Sequence, residues 1–192
     1  MWSCIGVLFA VQIAGSLAVQ HLFGLSFGDI AVPIALLALG SVLSFLFHRS
    51  VRSKSYGPWK WWVPVIVYAL FIFSLSNRSY PEALPTFSTK LFHPIEFAVF
   101  GGLLCVASFS ALGKKGIFPF AARVLCIGVL FGLLDELHQA FIPGRTARIL
   151  DVAFWDLLGI ACACGVFLVA CRLLRVGFRT SQTGRDQNPG SS

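Results

Sequence analysis

The run Ile117-Phe-Pro-Phe-Ala-Ala-Arg-Val-Leu-Cys-Ile-Gly-Val-Leu-Phe-Gly-Leu-Leu-Asp135-Glu136-Leu137 decides the fold class. It is apolar apart from Arg123 until its last turn, and it has the length of about 20 residues that a helix needs to cross a bilayer. Working outward, five more such stretches appear. They run over about Trp2 to Val19, Ile30 to Phe47, Trp61 to Leu75, Pro94 to Leu112 and Val152 to Leu174. The third is short, and Tyr56, Trp59, Trp61 and Trp62 extend it as an interfacial aromatic anchor. Composition agrees. Of 192 residues 57% are hydrophobic and 12% charged, with mean hydropathy +0.81. A soluble domain carries about 25% charge, so this chain has too little to cover a water-facing surface. It has too much apolar surface to be disordered. The expected architecture is all-α, a polytopic transmembrane helical bundle of about six spans.

Charge placement predicts the orientation. Net charge is +7 with a pI near 9.4, but no basic stripe with interleaved aromatics lies outside the apolar runs, so nucleic acid is not an expected partner. Arg49, Arg52, Lys54, Lys60, Lys114, Lys115, Arg123, Arg172, Arg175, Arg179 and Arg185 fall on one side of the six spans. Arg78, Lys90, Arg145 and Arg148 fall on the other. The positive-inside rule places both termini in the cytoplasm. The N-terminus has neither a basic region nor a small-residue cleavage site, so no cleaved signal peptide is expected. The tail from Thr180 reads as disordered. Cys4, Cys105, Cys126, Cys162, Cys164 and Cys171 all lie in apolar spans, which predicts buried thiols rather than disulfides. Residues two apart on a helix point away from each other, so Cys162 and Cys164 do not form a metal pair. The run Gly159 to Gly165 and the pair Gly101-Gly102 instead offer small residues for close helix packing.

Most other ionisable groups gather near two loops on the far side. The first reads Ser74-Leu-Ser-Asn-Arg-Ser-Tyr-Pro81, then Lys90-Leu-Phe-His93-Pro-Ile-Glu96. The second reads Asp135-Glu136-Leu-His138-Gln139-Ala-Phe-Ile-Pro143-Gly144-Arg145, then Asp151 and Asp156. If Pro94 opens span four, Glu96 lies in its first turn, where the helix dipole favours an acid, and His93 is held out of the helix. Glu96 is then either a plain terminal acid or part of a site. Asp151 is placed to cap span six. Asp135 and Glu136 are different: they are adjacent, and they sit at a helix C-terminus, where the dipole opposes them. They need compensation from Lys90, Arg145, Arg148, a metal ion or a shared proton. Both effects suit acid/base work, with pairing to Arg145 as the plain alternative. Asp156 lies inside span six, so it is expected to face the interior, either protonated or paired, with Arg145 or Arg148 as a candidate partner. Pro143-Gly144-Arg145 reads as a turn that aims an arginine back at the acids, and Lys90 and Arg145 together suit an anionic headgroup. His93 with Glu96 and Asp135 with His138 are i, i+3 pairs like those of carboxylate–histidine sites. The nearby Lys and Arg oppose a cation, so neither a metal nor a cofactor is expected.

The string Gly132-Leu-Leu-Asp135-Glu136-Leu-His138-Gln139-Ala-Phe-Ile-Pro143-Gly144-Arg145, with Asp151 and Gly159, resembles the VanZ-like family of bacterial multi-pass membrane proteins. Lys90-x-x-His93-x-x-Glu96-Phe and the Ser76/Pro81 region resemble its other marked segment, and the likeness runs from roughly Trp61 to Leu174. Three positions depart from the family pattern: Thr89 stands where an acid is usual, Pro94 follows the histidine, and Trp155 takes the place of an Asn or Asp. The resemblance implies three parts. Residues 1–55 are two additional helices with a basic loop, 56–179 a VanZ-like four-helix membrane domain, and 180–192 the tail. It also implies a place in the bacterial cytoplasmic membrane, and a link to envelope stress, since the namesake is associated with resistance to the glycopeptide teicoplanin.

The leading expectation is binding of a lipid-linked or cell-wall anionic group at the extracytoplasmic face. Lys90, Arg145 and Arg148 would hold the anion, and Asp135, Glu136 and His138 would orient it or exchange protons. His93, Glu96, Gln139, Asp151 and Asp156 complete the candidate ligand-binding set. The expected partners are membrane lipid and a lipid-linked cell-wall precursor. Competing readings are an enzyme with Glu136 or His138 as general base, a proton-coupled transporter using Asp156, and a scaffold whose charges satisfy one another.

Overall fold

The computed structural model describes residues 2–23, 27–50, 58–77, 86–112, 116–143, 150 and 152–174. Every element among them is helical. Helix α1 is Trp2–Phe23, α2 Phe27–Ser50, α3 Val63–Ser76, α4 Thr86–Leu112, α5 Ile117–Gln139 and α6 Leu157–Leu173. A 3-10 turn, Pro58–Trp62, leads into α3, and a π-helical turn, Val152–Asp156, leads into α6. Among the described residues five helices are long and apolar enough to cross a membrane, and α1 carries a further apolar stretch, Cys4–Ala18.

The helices start where local chemistry allows. Pro64, in the first turn of α3, needs no donor there. Gly116 precedes α5 with a φ of 44°, a backbone conformation that suits glycine. The expectation that Pro94 opens a helix is wrong. Helix α4 begins at Thr86 and runs straight through Pro94. Proline removes one intrahelical hydrogen bond, which neighbouring helices can compensate in a bundle of this kind. Here the neighbour is α6. A Cβ built on Gly159 would lie 2.4 Å from the Pro94 carbonyl oxygen and 2.8 Å from the Ala98 nitrogen, so the two backbones touch. Gly101 meets α6 in the same way, 2.9 Å from the Ile160 Cα, while Gly102 and Gly165 face open space.

Helices α4 and α6 form the most extensive pair, and α1, α2 and α3 pack in sequence beside them. The core is aromatic and aliphatic, with Phe9, Leu37, Tyr68, Ile72, Phe97, Phe100, Leu104 and Ile160 fully buried. Tyr68 joins α1 to α3, since its hydroxyl donates to Gln12 Oε1 at 3.0 Å and its ring stacks on Phe9. The thiols correct the expectation of uniform burial. All six are free, but only Cys105, Cys164 and Cys171 are buried, while Cys4, Cys126 and Cys162 face outward. Cys162 and Cys164 point apart, as their spacing requires.

Candidate functional site

The last turn of α3, the first half of α4, the last turn of α5 and the start of α6 all lie at one end of the bundle. Each brings polar side chains to it. On α5, Asp135, Glu136 and Gln139 are all buried, with Asp135 only 3% exposed. Ser76, in the last turn of α3, donates its hydroxyl to Asp135 Oδ2 at 2.9 Å. Gln139, one turn beyond Asp135, donates Nε2 to the same oxygen at 2.7 Å and reaches Ser76 Oγ at 3.4 Å. Two neutral donors thus hold one carboxylate oxygen. The other, Oδ1, is buried with no hydrogen-bond partner among the described residues. The compensation that a helix C-terminus demands comes here from a hydroxyl and an amide. Among the described residues no Lys or Arg pairs with Asp135.

His138 lies on the same helix. Its ring stacks on Phe73 of α3, with centroids 4.0 Å apart and planes inclined at 29°, and its Nε2 is buried without a hydrogen-bond partner among the described residues.

The second group joins α4 to α6. Because α4 is continuous, His93 and Glu96 are i, i+3 neighbours on one helix, which overturns the reading of His93 as pre-helical and of Glu96 as a first-turn acid. Asp156, the last residue of the π-helical turn, is 2% exposed and faces the bundle interior. Its Oδ1 lies 3.5 Å from His93 Nδ1, an ion-pair separation rather than an aligned hydrogen bond. The expectation of an interior, paired Asp156 thus holds, with His93 as a partner. Gly132 makes room for it: a Cβ there would sit 3.0 Å from Asp156 Oδ2. Gly132 is three residues before Asp135, so the two carboxylates lie against neighbouring turns of α5.

Other expectations fall elsewhere. Arg145, Arg148 and Asp151 lie outside the described residues, as does the side chain of Lys90, whose backbone belongs to α4. Ser76 and Phe73 are the members that sequence reasoning did not assign. Ser76 stood in a loop motif and in a segment resembling the family without a role of its own, and the role of Phe73 depends on a residue on another helix. A usable signal existed in the glycines, since Gly132 and Gly159 each stand three residues from a buried acid. Among the described residues no three His, Cys, Asp or Glu side chains come together as a metal site would require.

Comparisons with curated proteins and with solved structures matched nothing. A comparison with family profiles did. Residues 73–173 match VanZ/LLP1. The match begins at Phe73, a turn before Ser76, and ends with α6. It contains every polar contact of the bundle end described above and covers more than half of the chain. The protein belongs to the VanZ/LLP1 family, as a multi-pass helical membrane protein.

Proposed function

We propose that this protein binds an anionic group of a lipid-linked or cell-wall molecule at the extracytoplasmic face of the bacterial cytoplasmic membrane. The observation that carries the reading is the convergence of polar side chains from four helices at one end of an otherwise apolar bundle. Intramembrane acids are expensive and mark functional sites by default. The excess of Lys and Arg in the opposite loops supports an outward-facing site. Lys90, Arg145 and Arg148, basic residues that flank this end in sequence, hold the anion, with guanidinium groups suited to a bidentate grip. A link to envelope stress follows if that molecule is a cell-wall precursor.

Titrating the purified full chain with phosphatidic acid is expected to show saturable binding. Arg145→Ala should weaken it about tenfold, the loss of one charge-assisted contact of about 1.5 kcal/mol. Unchanged affinity in both Arg145→Ala and Lys90→Ala would remove the basis of this reading.

One observation favours a second reading, acid/base chemistry on the same molecule. A histidine beside a buried carboxylate, as His93 is beside Asp156, is a common arrangement for a general base. Turnover of a lipid-linked cell-wall precursor that disappears in Glu136→Gln or His93→Gln would establish it. No turnover by the intact protein would leave binding as the activity.

A further inference from the structure

We propose that the outer face of α5 around Arg123 binds an anionic phospholipid, with the lipid phosphate on the guanidinium and an acyl chain along Leu130 and Leu134. This site lies at the end of the bundle away from Asp135 and is independent of the reading given above.

Packing and chain order fix the two ends. Helices α3 and α5 finish together where Ser76 meets Asp135. The start of α5 lies at the opposite end with the last turns of α4 and α6, where Phe109, Phe120 and Phe167 pack ring against ring. Charge divides between the same ends. Arg49, Lys60, Lys114, Lys115, Arg123 and Arg172 belong in sequence to the second end. Every Asp and Glu of the chain except Asp186, in the tail, belongs in sequence to the first. No acid of the helices or their connections is therefore placed to neutralise a basic residue at the second end.

Arg123 stands six residues beyond Ile117, inside a helix long and apolar enough to cross a membrane. It is half-buried and makes no hydrogen bond or ion pair with the described residues. A charge in a span is costly and marks a function by default. At about 1.5 Å per residue, Arg123 lies about 9 Å from the start of α5. Helical side chains lean towards the N-terminus, which carries the guanidinium back past Pro119 and Gly116 on the same face, towards the headgroups.

The surface on the other side of Arg123 matches the rest of a lipid. Leu130, Leu134 and Leu137 follow it at intervals of seven, four and three residues and so continue one stripe. All three are more than half exposed, so the stripe faces outward rather than into the core. From Arg123 to Leu134 is about 16 Å, close to half of a hydrocarbon layer of about 30 Å. A cationic head above an aliphatic track of leaflet depth is the outline of a phospholipid lying against the helix. Both parts open on the protein surface, so the ligand needs no passage into the bundle. The surplus of Lys and Arg at this end selects an anionic headgroup, since the cation of a zwitterionic one would be repelled.

Photolabelling tests this on the intact chain. The purified protein in a neutral detergent is irradiated with phosphatidylglycerol carrying a diazirine midway along one acyl chain, and labelled peptides are identified by mass spectrometry. Label is expected between Cys126 and Leu137. Unlabelled phosphatidylglycerol should displace it at about one-tenth of the concentration needed with phosphatidylcholine of the same chains. Equal displacement by the two lipids overturns the proposal. Glycerophosphoglycerol, the same headgroup without chains, should displace little, and displacement as effective as that of the whole lipid overturns the acyl track. Arg123→Gln should reduce the labelling about fivefold at sub-saturating lipid, the effect of one basic residue near a membrane surface. Unchanged labelling in an Arg123→Gln protein that melts like the wild type places the phosphate elsewhere and overturns the site. The competition series needs no variant and decides the matter even if Arg123→Gln does not fold. Label is read on α5 at this end, whereas the Arg145 test above addresses the other, so the two proposals fail separately.

Discussion

Gly159→Ala is expected to force α4 and α6 apart and to lower the melting temperature of the purified protein more than any other single methyl group added to this bundle. The new Cβ would lie 2.4 Å from the Pro94 carbonyl oxygen and 2.8 Å from the Ala98 nitrogen. Both are backbone atoms of a helix, so neither can rotate away as a side-chain tip would. Overpacking a well-filled core costs about 1–3 kcal/mol and sometimes more. A clash with rigid backbone belongs at the upper end, about 3 kcal/mol, against a total stability of about 5–15 kcal/mol. The control lies on the same helix. Gly165 has nothing within 4 Å of its would-be Cβ, so Gly165→Ala should be neutral or stabilising by up to about 1 kcal/mol through helix propensity. Melting curves of the two variants in detergent should therefore shift in opposite directions. A Gly159→Ala protein that melts with the wild type would mean that α4 and α6 do not approach this closely.

The second large effect concerns His93 and Asp156. Removing one member of a buried ion pair typically costs about 3–5 kcal/mol, because the other charge loses a contact made in the interior. The two members are not equivalent here. Asp156 is 2% exposed, while the His93 side chain keeps about 20% of its surface open. His93→Leu should therefore be the more damaging change, at about 3 kcal/mol. Asp156→Asn keeps the shape, removes the charge and leaves a partly exposed imidazole, for a loss of about 1 kcal/mol. Asp156→Asn introduced into His93→Leu should then restore part of the lost stability, a coupling on the order of 1–3 kcal/mol. Additive losses in the double variant would show that the 3.5 Å contact carries no energy of its own. The same set separates stability from activity: a rescued double variant that melts normally but binds no lipid places the pair in the site.

Much of this was legible in the chain. Long apolar runs and the scarcity of charge led to the helices, and acids at an unfavourable helix end led to Asp135 and Glu136. Asp156 was expected inside the bundle because a carboxylate on an apolar span has nowhere else to go. What could not be read depends on contacts between helices. A proline rule based on local sterics ended α4 at Pro94, but α6 packs backbone to backbone across that turn and the helix continues to Thr86. Ser76 and Phe73 carry no mark of their own, and they become informative only once α3 is set beside α5. Burial of the thiols failed for a related reason. An apolar span has an inward and an outward face, and composition alone does not distinguish core from lipid at Cys126 or Cys162.

The unbroken course of α4 has a consequence for where the chemistry happens. Its 27 residues, rising about 1.5 Å each, make a rod of about 40 Å, while the hydrocarbon layer is about 30 Å thick. Residues 95–112 are its more apolar part, whereas 86–92 hold three hydroxyl residues and Lys90, so the first two turns supply the overhang. In a bilayer that covers the apolar remainder, they form a mast reaching into the headgroup zone, with the Lys90 backbone about one turn before His93. On that placement the acids near its foot would lie toward the edge of the bilayer rather than at its centre. There, water and lipid phosphates are within reach, and a charged visitor need not be dragged through oil to meet them.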